Sequence, residues 1–339
     1  MRAIQLVKYG NASEAFQIAE LEKPVIAPHE VLIKSVSFGL NFADVMARRG
    51  LYQEAPPLPA VLGYEVVGTI EETGSAVTMW KKGQRVVAFS RFGGYAEYVK
   101  TDQQALAAIP DDMDSGMATA LSTQYSTAYY AAYDMANIRE GEVVMIHAAA
   151  GGVGIALTQL AHLRGCTVVG LAGSDEKINF LKDSGVEYAI NYRSVDFSKE
   201  VPAQLGRKVD VIFDPVGGKS FKNDKKILDY GGRIVAYGAS DQLNHRKGFI
   251  SSMKLLFGFG FMHPVSLIVN SKGVLGVNML KIADNKPQIL QDTLKKVVDL
   301  AVQNKIKPLV GKEYKAEKIS AAHEYFESRQ SKGKIVLHW

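Results

Sequence analysis

The residues best suited to chemistry are the eight of His147-Ala-Ala-Ala-Gly-Gly-Val-Gly154. A run this small lets backbone N–H groups close around an anion without side chains in the way. Ala149, Gly151 and Gly154 hold the first, third and sixth places of the G-x-G-x-x-G dinucleotide pattern, with Ala replacing the first Gly. Gly151, Gly152 and Val153 would then present their N–H groups to a diphosphate. A helix beginning at this point adds the positive end of its dipole.

The turn needs a strand before it and a helix after it, and both are legible. Glu142-Val-Val-Met-Ile146 is an apolar run of the kind a buried parallel strand requires. Ile155 to Leu163 has helical character, and Thr167-Val-Val-Gly-Leu-Ala172 supplies the second strand of a βαβ unit. Cofactor choice is set where that second strand ends. An Asp or Glu there would hold the ribose 2′-OH of NAD. This chain instead reads Ala172-Gly173-Ser174, with Lys177 one short turn on. Ser174 and Lys177 can bind a 2′-phosphate, so the residues favour NADP(H). Lys177 has a plainer reading as a surface lysine. In an open α/β sheet the ligand lies beyond the carboxyl ends of the strands. That rule adds Tyr192, Asp214 to Gly218, Gly238, Ser240, Val277 and Asn278 to the candidate contacts.

No metal site is legible. The histidines stand singly, without an H-x-x-x-H pair, and His147 reads as a satisfied core residue. The lone cysteine, Cys166, can form neither an intrachain disulfide nor a cysteine-rich zinc site. A single thiol fits a reducing compartment, so the expected location is cytoplasmic.

The remaining composition sets outer limits. The 339 residues are 47% hydrophobic and 22% charged, the balance of a globular protein of two domains. The net charge of +5 comes from dispersed lysines rather than a basic stripe, which disfavours nucleic acid as the main partner. The amino terminus shows strand-like alternation where a signal peptide would be apolar. No apolar stretch is long enough to span a bilayer: Leu255 to Val269 is broken by Gly258, Gly260, His263 and Pro264.

Short strands separated by Gly and Pro fill residues 1–122: Val31–Ser37, Val66–Ile70, Arg85–Phe89 and Tyr95–Val99. They predict a small β-barrel. From 123 to 285 strands and helices alternate, which predicts a doubly wound parallel sheet. A helix over Gln288–Gln303 and a strand over Lys334–Leu337 return the chain to the first domain, giving expected domains of 1–122 with 286–339, and 123–285. The irregular segment Asp241–Lys272 has several open readings: a lid, a dimer or membrane-surface contact, or plain packing.

Several ordered motifs carry a family resemblance. Ala149-Ala-Gly-Gly-Val-Gly154, Gly39-Leu-Asn-Phe-Ala-Asp44, Arg49-Gly-Leu-Tyr52, Leu62-Gly-Tyr-Glu65 and Asp214-Pro-Val-Gly-Gly218 resemble the medium-chain dehydrogenase/reductase superfamily. Within it they resemble the zinc-free quinone oxidoreductases. Leu40–Arg48 and the Asp241–Lys272 segment are similar to the synaptic-vesicle amine transport protein homologue branch. The resemblance implies an α/β chain with a GroES-like β-barrel catalytic domain beside a Rossmann domain, and NADPH in the cleft between them. It also implies a homodimer pairing through the strand Gly273–Val277. Carried over by motif, Asn41 and Thr127 would contact the nicotinamide end and Tyr52 the substrate. Tyr130, Gly152, Val153, Gly173, Ser174, Lys177 and Tyr192 would hold ribose and phosphates. Gly217, Gly238, Ser240 and Asn278 would line the remaining edge, with Arg329 in a C-terminal contact segment. Zinc-dependent relatives place Gly-His-Glu where this chain has Gly63-Tyr64-Glu65, and a Cys near Asn41. The implied activity is zinc-independent hydride transfer from NADPH to quinones or α,β-unsaturated carbonyls, with Asn41 and Tyr52 as the catalytic pair. The rival reading is a nucleotide-binding interaction protein that acts on RNA or a membrane surface with little catalysis.

Overall fold

A computed structural model describes residues 1–240 and 263–339. Most of the irregular segment, up to position 262, lies outside the described residues. The chain forms two compact units, Met1–Ser126 with Met279–Trp339, and Thr127–Asn278. The crossings therefore fall four residues later and seven residues earlier than the boundaries read from the sequence. A continuous helical stretch causes the first difference. It starts at Ser115 and runs through π-helical turns at Leu121–Tyr125 and Tyr130–Met135, so no loop marks the border. At the second crossing the helix Met279–Asn285 packs on the helix Pro287–Val302 and stays with it.

The unit Thr127–Asn278 is built on six strands: β9 (Val143–Ile146), β10 (Thr167–Ala172), β11 (Tyr188–Asn191), β12 (Val209–Asp214), β13 (Leu228–Ala236) and β14 (Gly273–Gly276). Their spatial order is β11-β10-β9-β12-β13-β14 and every pairing is parallel. Sequence order thus reverses at β9, the arrangement of a dinucleotide-binding sheet. All four residues of β9 are buried. A strand covered on both faces must be apolar throughout, which is why Val-Val-Met-Ile has no alternation. Val169, Leu171, Val209, Ile212 and Ile234 form the core with Val143 and Met145 of β9.

The other unit is mostly antiparallel, with one parallel pair among the described strands at the edge of its larger sheet. β1 (Arg2–Leu6), β2 (Phe16–Glu20) and β4 (Ala60–Val61) make a three-stranded sheet. A seven-stranded sheet joins β3 (Glu30–Leu40), β5 (Glu65–Thr73), β6 (Arg85–Phe89), β7 (Tyr98–Asp102), β8 (Leu106–Ala108), β15 (Val310–Lys315) and β16 (Lys334–His338). The strand read at Tyr95–Val99 begins later, at Tyr98. Tyr95 itself is buried, its ring 5.0 Å from that of Phe38, and its carbonyl accepts from Ile4 N–H. β16 runs antiparallel to β3 with Ile335 opposite Leu40, a register that places Lys334 beside Asn41.

Candidate active site

The small-residue turn sits at the reversal point of the parallel sheet. His147 N–H donates to the Phe213 carbonyl on β12, and Ala149 N–H donates to the Leu171 carbonyl on β10. The turn is thereby stitched to the strands on either side of β9. Ala148 takes a left-handed conformation, φ 50°, and lets the chain double back into the helix Gly152–Leu163. Gly154 is dictated by crowding: a Cβ there would lie 2.5 Å from the Ala148 carbonyl oxygen and 2.6 Å from Ala149 Cα. The first turn of the helix carries no acidic residue. Its leading N–H groups have no acceptor within the helix. Such a terminus suits a diphosphate.

At the end of β10 the structure gathers four predicted residues. Ser174 caps the helix Asp175–Asp183 by accepting from Lys177 N–H. The Tyr192 hydroxyl would lie 2.7 Å from a Cβ on Gly173, so the absence of a side chain at 173 makes room for that phenol. Tyr192 N–H donates to the Ala172 carbonyl, which ties the ends of β10 and β11 together. Ser174, the Lys177 backbone N–H and Tyr192 therefore meet at one corner, and the carboxylate that follows, Asp175, accepts from Asn191 Nδ2 at the end of β11.

The ends of β12, β13 and β14 form a second group. Asp214 folds its own loop: Oδ1 accepts from Val216 N–H at 2.6 Å and from Gly217 N–H at 3.1 Å. Ser240 N–H donates to the Pro215 carbonyl, and a Cβ on Gly238 would lie 2.8 Å from that same oxygen. Val277, with its N–H on the Ala236 carbonyl, is buried, and Asn278 follows it. Thr127 and Tyr130 are half-buried on the helical stretch that opens this unit, Tyr130 at a π-helical turn.

Behind these loops lies a cluster the sequence did not reveal. His147 Nε2 meets Asp224 Oδ1 at 2.8 Å, and ligand-type atoms of His147, Asp214 and Asp224 all lie within 4.8 Å of one another. All three residues are buried. His147 is thus satisfied, but by a carboxylate rather than by backbone. Burial pushes the Asp224 carboxyl up to about 6.

In the unit containing residues 1–126, Asn41 is held rather than free to turn. Its Oδ1 accepts from Lys334 Nζ at 2.9 Å, and its Nδ2 donates to Glu65 Oε1 at 2.7 Å. Lys334 Nζ also bonds that Glu65 oxygen, and Glu65 Oε2 accepts from Thr123 N–H. The side chains of Lys334 and Glu65 are both fully buried. Asn41 caps the helix Phe42–Arg48 as well, with its N–H on Asp44 Oδ2. Burial pushes the Asp44 carboxyl up to about 7, and Asp44 also accepts from Gly63 N–H. Tyr52 is half-buried, edge-on to Tyr64 with ring centres 6.3 Å apart. Burial raises the pKa of its phenol. Arg329 is exposed and has a left-handed backbone, φ 60°.

Sequence reading missed Lys334, Asp44 and Asp224. Lys334 and Asp224 act through partners distant along the chain, which no local spacing encodes, whereas Asp44 bonds Asn41 three residues away and its capping-box spacing was a local signal. Cys166 is buried, with its thiol pushed up by burial to about 11.

Comparison with known proteins places this geometry in a family. Residues 27–111 match the alcohol dehydrogenase GroES-like domain family, and residues 152–298 match the family described as zinc-binding dehydrogenase. The chain belongs to the medium-chain dehydrogenase/reductase superfamily. It is 33% identical over 338 residues to a synaptic vesicle membrane protein VAT-1 homolog of Danio rerio, covering 99% of this chain and 69% of that protein. It is 30% identical to the quinone oxidoreductase of Rattus norvegicus, covering 99% and 97%. Among solved structures, Escherichia coli quinone oxidoreductase complexed with NADPH matches with a TM-score of 0.86 and 27% identity, covering all of both chains. The human VAT-1 homolog-like protein gives 0.86 and 29%, covering 100% and 98%. No helix among the described residues is long and apolar enough to cross a membrane.

Proposed function

We propose that this chain is an NADP(H)-dependent, zinc-independent reductase that delivers hydride to quinones or α,β-unsaturated carbonyls. The observation that carries the reading is the corner at the end of β10. Gly173, Ser174 and Tyr192 meet there with the Lys177 backbone N–H, and the chain has Gly-Ser where an NAD enzyme would place a carboxylate. Similarity to quinone oxidoreductases, one of them solved with NADPH, supports the same cofactor.

The bound nicotinamide supplies hydride chemistry, and the protein supplies position and electrostatics. Lys177 and Ser174 recognise the 2′-phosphate, with Tyr192 against the adenosine side. N–H groups of Gly152 and Val153 hold the diphosphate at the helix terminus, whereas the Gly151 N–H expected to join them is spent on the Ala148 carbonyl, 2.9 Å away, and closes the turn instead. Gly217, Gly238, Ser240, Val277 and Asn278, with Thr127, Tyr130 and Arg329, complete the cofactor contacts. Asn41 has one amide N–H left over from its bonds to Glu65 and Lys334. In this reading that N–H meets the nicotinamide end. Tyr52, its phenol pKa raised by burial, would give its proton to the enolate or hydroquinone monoanion that hydride addition leaves.

The zinc-independent part rests on donor chemistry. Asn41 replaces a thiolate and Tyr64 an imidazole, while Glu65 already has a buried cation in Lys334. The protein works as a homodimer in this reading. Support comes from β14, at the edge of the parallel sheet, beside the exposed Val265, Ile268 and Val269. NADPH oxidation against a panel of quinones and enones tests the function: turnover of at least one class is expected. Tight NADPH binding without turnover of any would refute it.

A further inference from the structure

Among the described residues, the most unusual feature outside the proposed contacts is the buried cluster behind the Asp214 loop. It contains one imidazole and two carboxyls, and nothing in it reaches solvent: His147 is 4% exposed, Asp214 and Asp224 0%. Two buried carboxylates side by side repel strongly, so the cluster must hold a proton or a metal ion to be tolerated.

The geometry favours a proton. His147 Nε2 and Asp224 Oδ1 are 2.8 Å apart, which is a direct hydrogen bond. Tetrahedral ligands of a zinc ion, at bond lengths of about 2.0–2.1 Å, would stand farther apart, at about 3.3 Å. Both Asp214 oxygens already accept from the loop: Oδ1 from Val216 and Gly217 N–H, Oδ2 from Gly217 N–H at 3.2 Å and the Ser220 hydroxyl at 3.4 Å. Asp214 thus has donors on both of its oxygens. Asp224 Oδ2, by contrast, is buried with no donor. One oxygen of its carboxyl lies within 4.8 Å of one of Asp214. A proton on Asp224 Oδ2, donated to Asp214, satisfies the orphan oxygen and removes the repulsion in one step.

We propose that His147, Asp224 and Asp214 form a proton-sharing positioning network that fixes the 214–218 loop for cofactor binding. The proposal rests on the reading that this loop contacts NADP(H). His147 opens the diphosphate turn, Asp214 folds the loop carrying Gly217, and Asp224 joins them from the helix Lys219–Ile227. One buried proton thereby couples the two loops that hold opposite parts of one ligand. Loss of that proton sets Asp224 against Asp214 and loosens the grip of Asp214 on Val216 and Gly217.

The neighbouring groups do not provide an alternative proton site. Phe197 of the helix Phe197–Leu205 covers the His147 ring edge-on, with centres 5.3 Å apart. From the end of β13 the facing group is Tyr237, whose phenol burial and then Asp214 hold well above the ordinary range. Burial alone would lower the pKa of His147, but Asp224 and then Asp214 outweigh it and raise it. The two carboxyls therefore favour the charged form of His147.

The test is the NADPH dissociation constant, read by cofactor fluorescence from pH 5.5 to 8.5, for the wild type and Asp224→Asn. Asn keeps an acceptor for His147 and permanently supplies the donor to Asp214. The ligand's 2′-phosphate titrates in the same range, but the ratio of the two proteins' constants cancels it. The wild type should weaken relative to Asp224→Asn by roughly fivefold or more across the range, while the two agree within twofold at pH 5.5. Asp224→Leu, which cannot bridge, should bind weakly at every pH and show no such transition. A ratio that stays constant with pH overturns the proposal while leaving the cofactor reading intact. One equivalent of zinc in purified protein, lost in His147→Ala, also overturns it and puts a metal in place of the proton. No NADPH binding by the wild type at any pH defeats both readings.

Discussion

Replacing Lys334 with Met tests how the Asn41 side of the site is held. The methionine keeps most of the aliphatic stem that lies over Gly39, so packing changes little and the charge is what disappears. Lys334 and Glu65 are both 0% exposed, and Glu65 would be left as a buried carboxylate with only Asn41 Nδ2–H and Thr123 N–H as donors. Breaking one half of a buried pair costs about 3–5 kcal/mol. At roughly 2–4 °C per kcal/mol for a domain of this size, the melting temperature of that unit should fall by about 10 °C. Removing both charges in Glu65→Gln/Lys334→Met should restore at least half of the loss, because the uncompensated carboxylate is gone. Calorimetric melts of the four proteins of the double-mutant cycle provide the assay. Additive losses, or a Lys334→Met protein that melts like the wild type, would refute the argument that this ammonium compensates Glu65.

Three further outcomes are expected. Gly154→Ala forces a methyl to within 2.5 Å of the Ala148 carbonyl. Overpacking of that kind costs about 1–3 kcal/mol, and NADPH affinity should drop roughly tenfold in a fluorescence titration. Lys177→Ala removes the proposed charge-assisted contact to the 2′-phosphate, worth about 1.5–3 kcal/mol, so the preference for NADPH over NADH should fall by roughly 10–100-fold, with NADH affinity unchanged. Cys166, buried and with its thiol pushed up to about 11, should resist a thiol reagent in the native protein at pH 8 and react stoichiometrically in denaturant.

The parts of the protein that could be read from sequence are those specified locally. The diphosphate turn, its strand and its helix are contiguous, so small-residue spacing and an apolar run sufficed. β10 falls at Thr167–Ala172 as read, because a doubly covered strand must be apolar from end to end. Tyr95 misled because alternation near it resembles a strand, whereas Ala3 bridges to Ala96 and draws that stretch towards β1. The first unit boundary was obscured by a helix that crosses it without interruption. The buried polar networks were out of reach for a different reason. Lys334 is 293 residues from Asn41 and 269 from Glu65, and Asp224 is 77 from His147. Only strand register and the return of a helix over the sheet bring such groups together. Motif resemblance points to Asn41 and Tyr52, and Glu65 and Asp44, which bond Asn41, lie in the same set of motifs, but Lys334 carries none.

The central claim is hydride transfer from NADPH without a metal. The most direct test is kcat/KM for quinone or enone reduction, measured with NADPH and with NADH on protein stripped by a chelator and checked for metal content. The account predicts undiminished activity in the metal-free enzyme and at least a tenfold advantage for NADPH. Activity that follows bound zinc, or an equal or better rate with NADH, would contradict it.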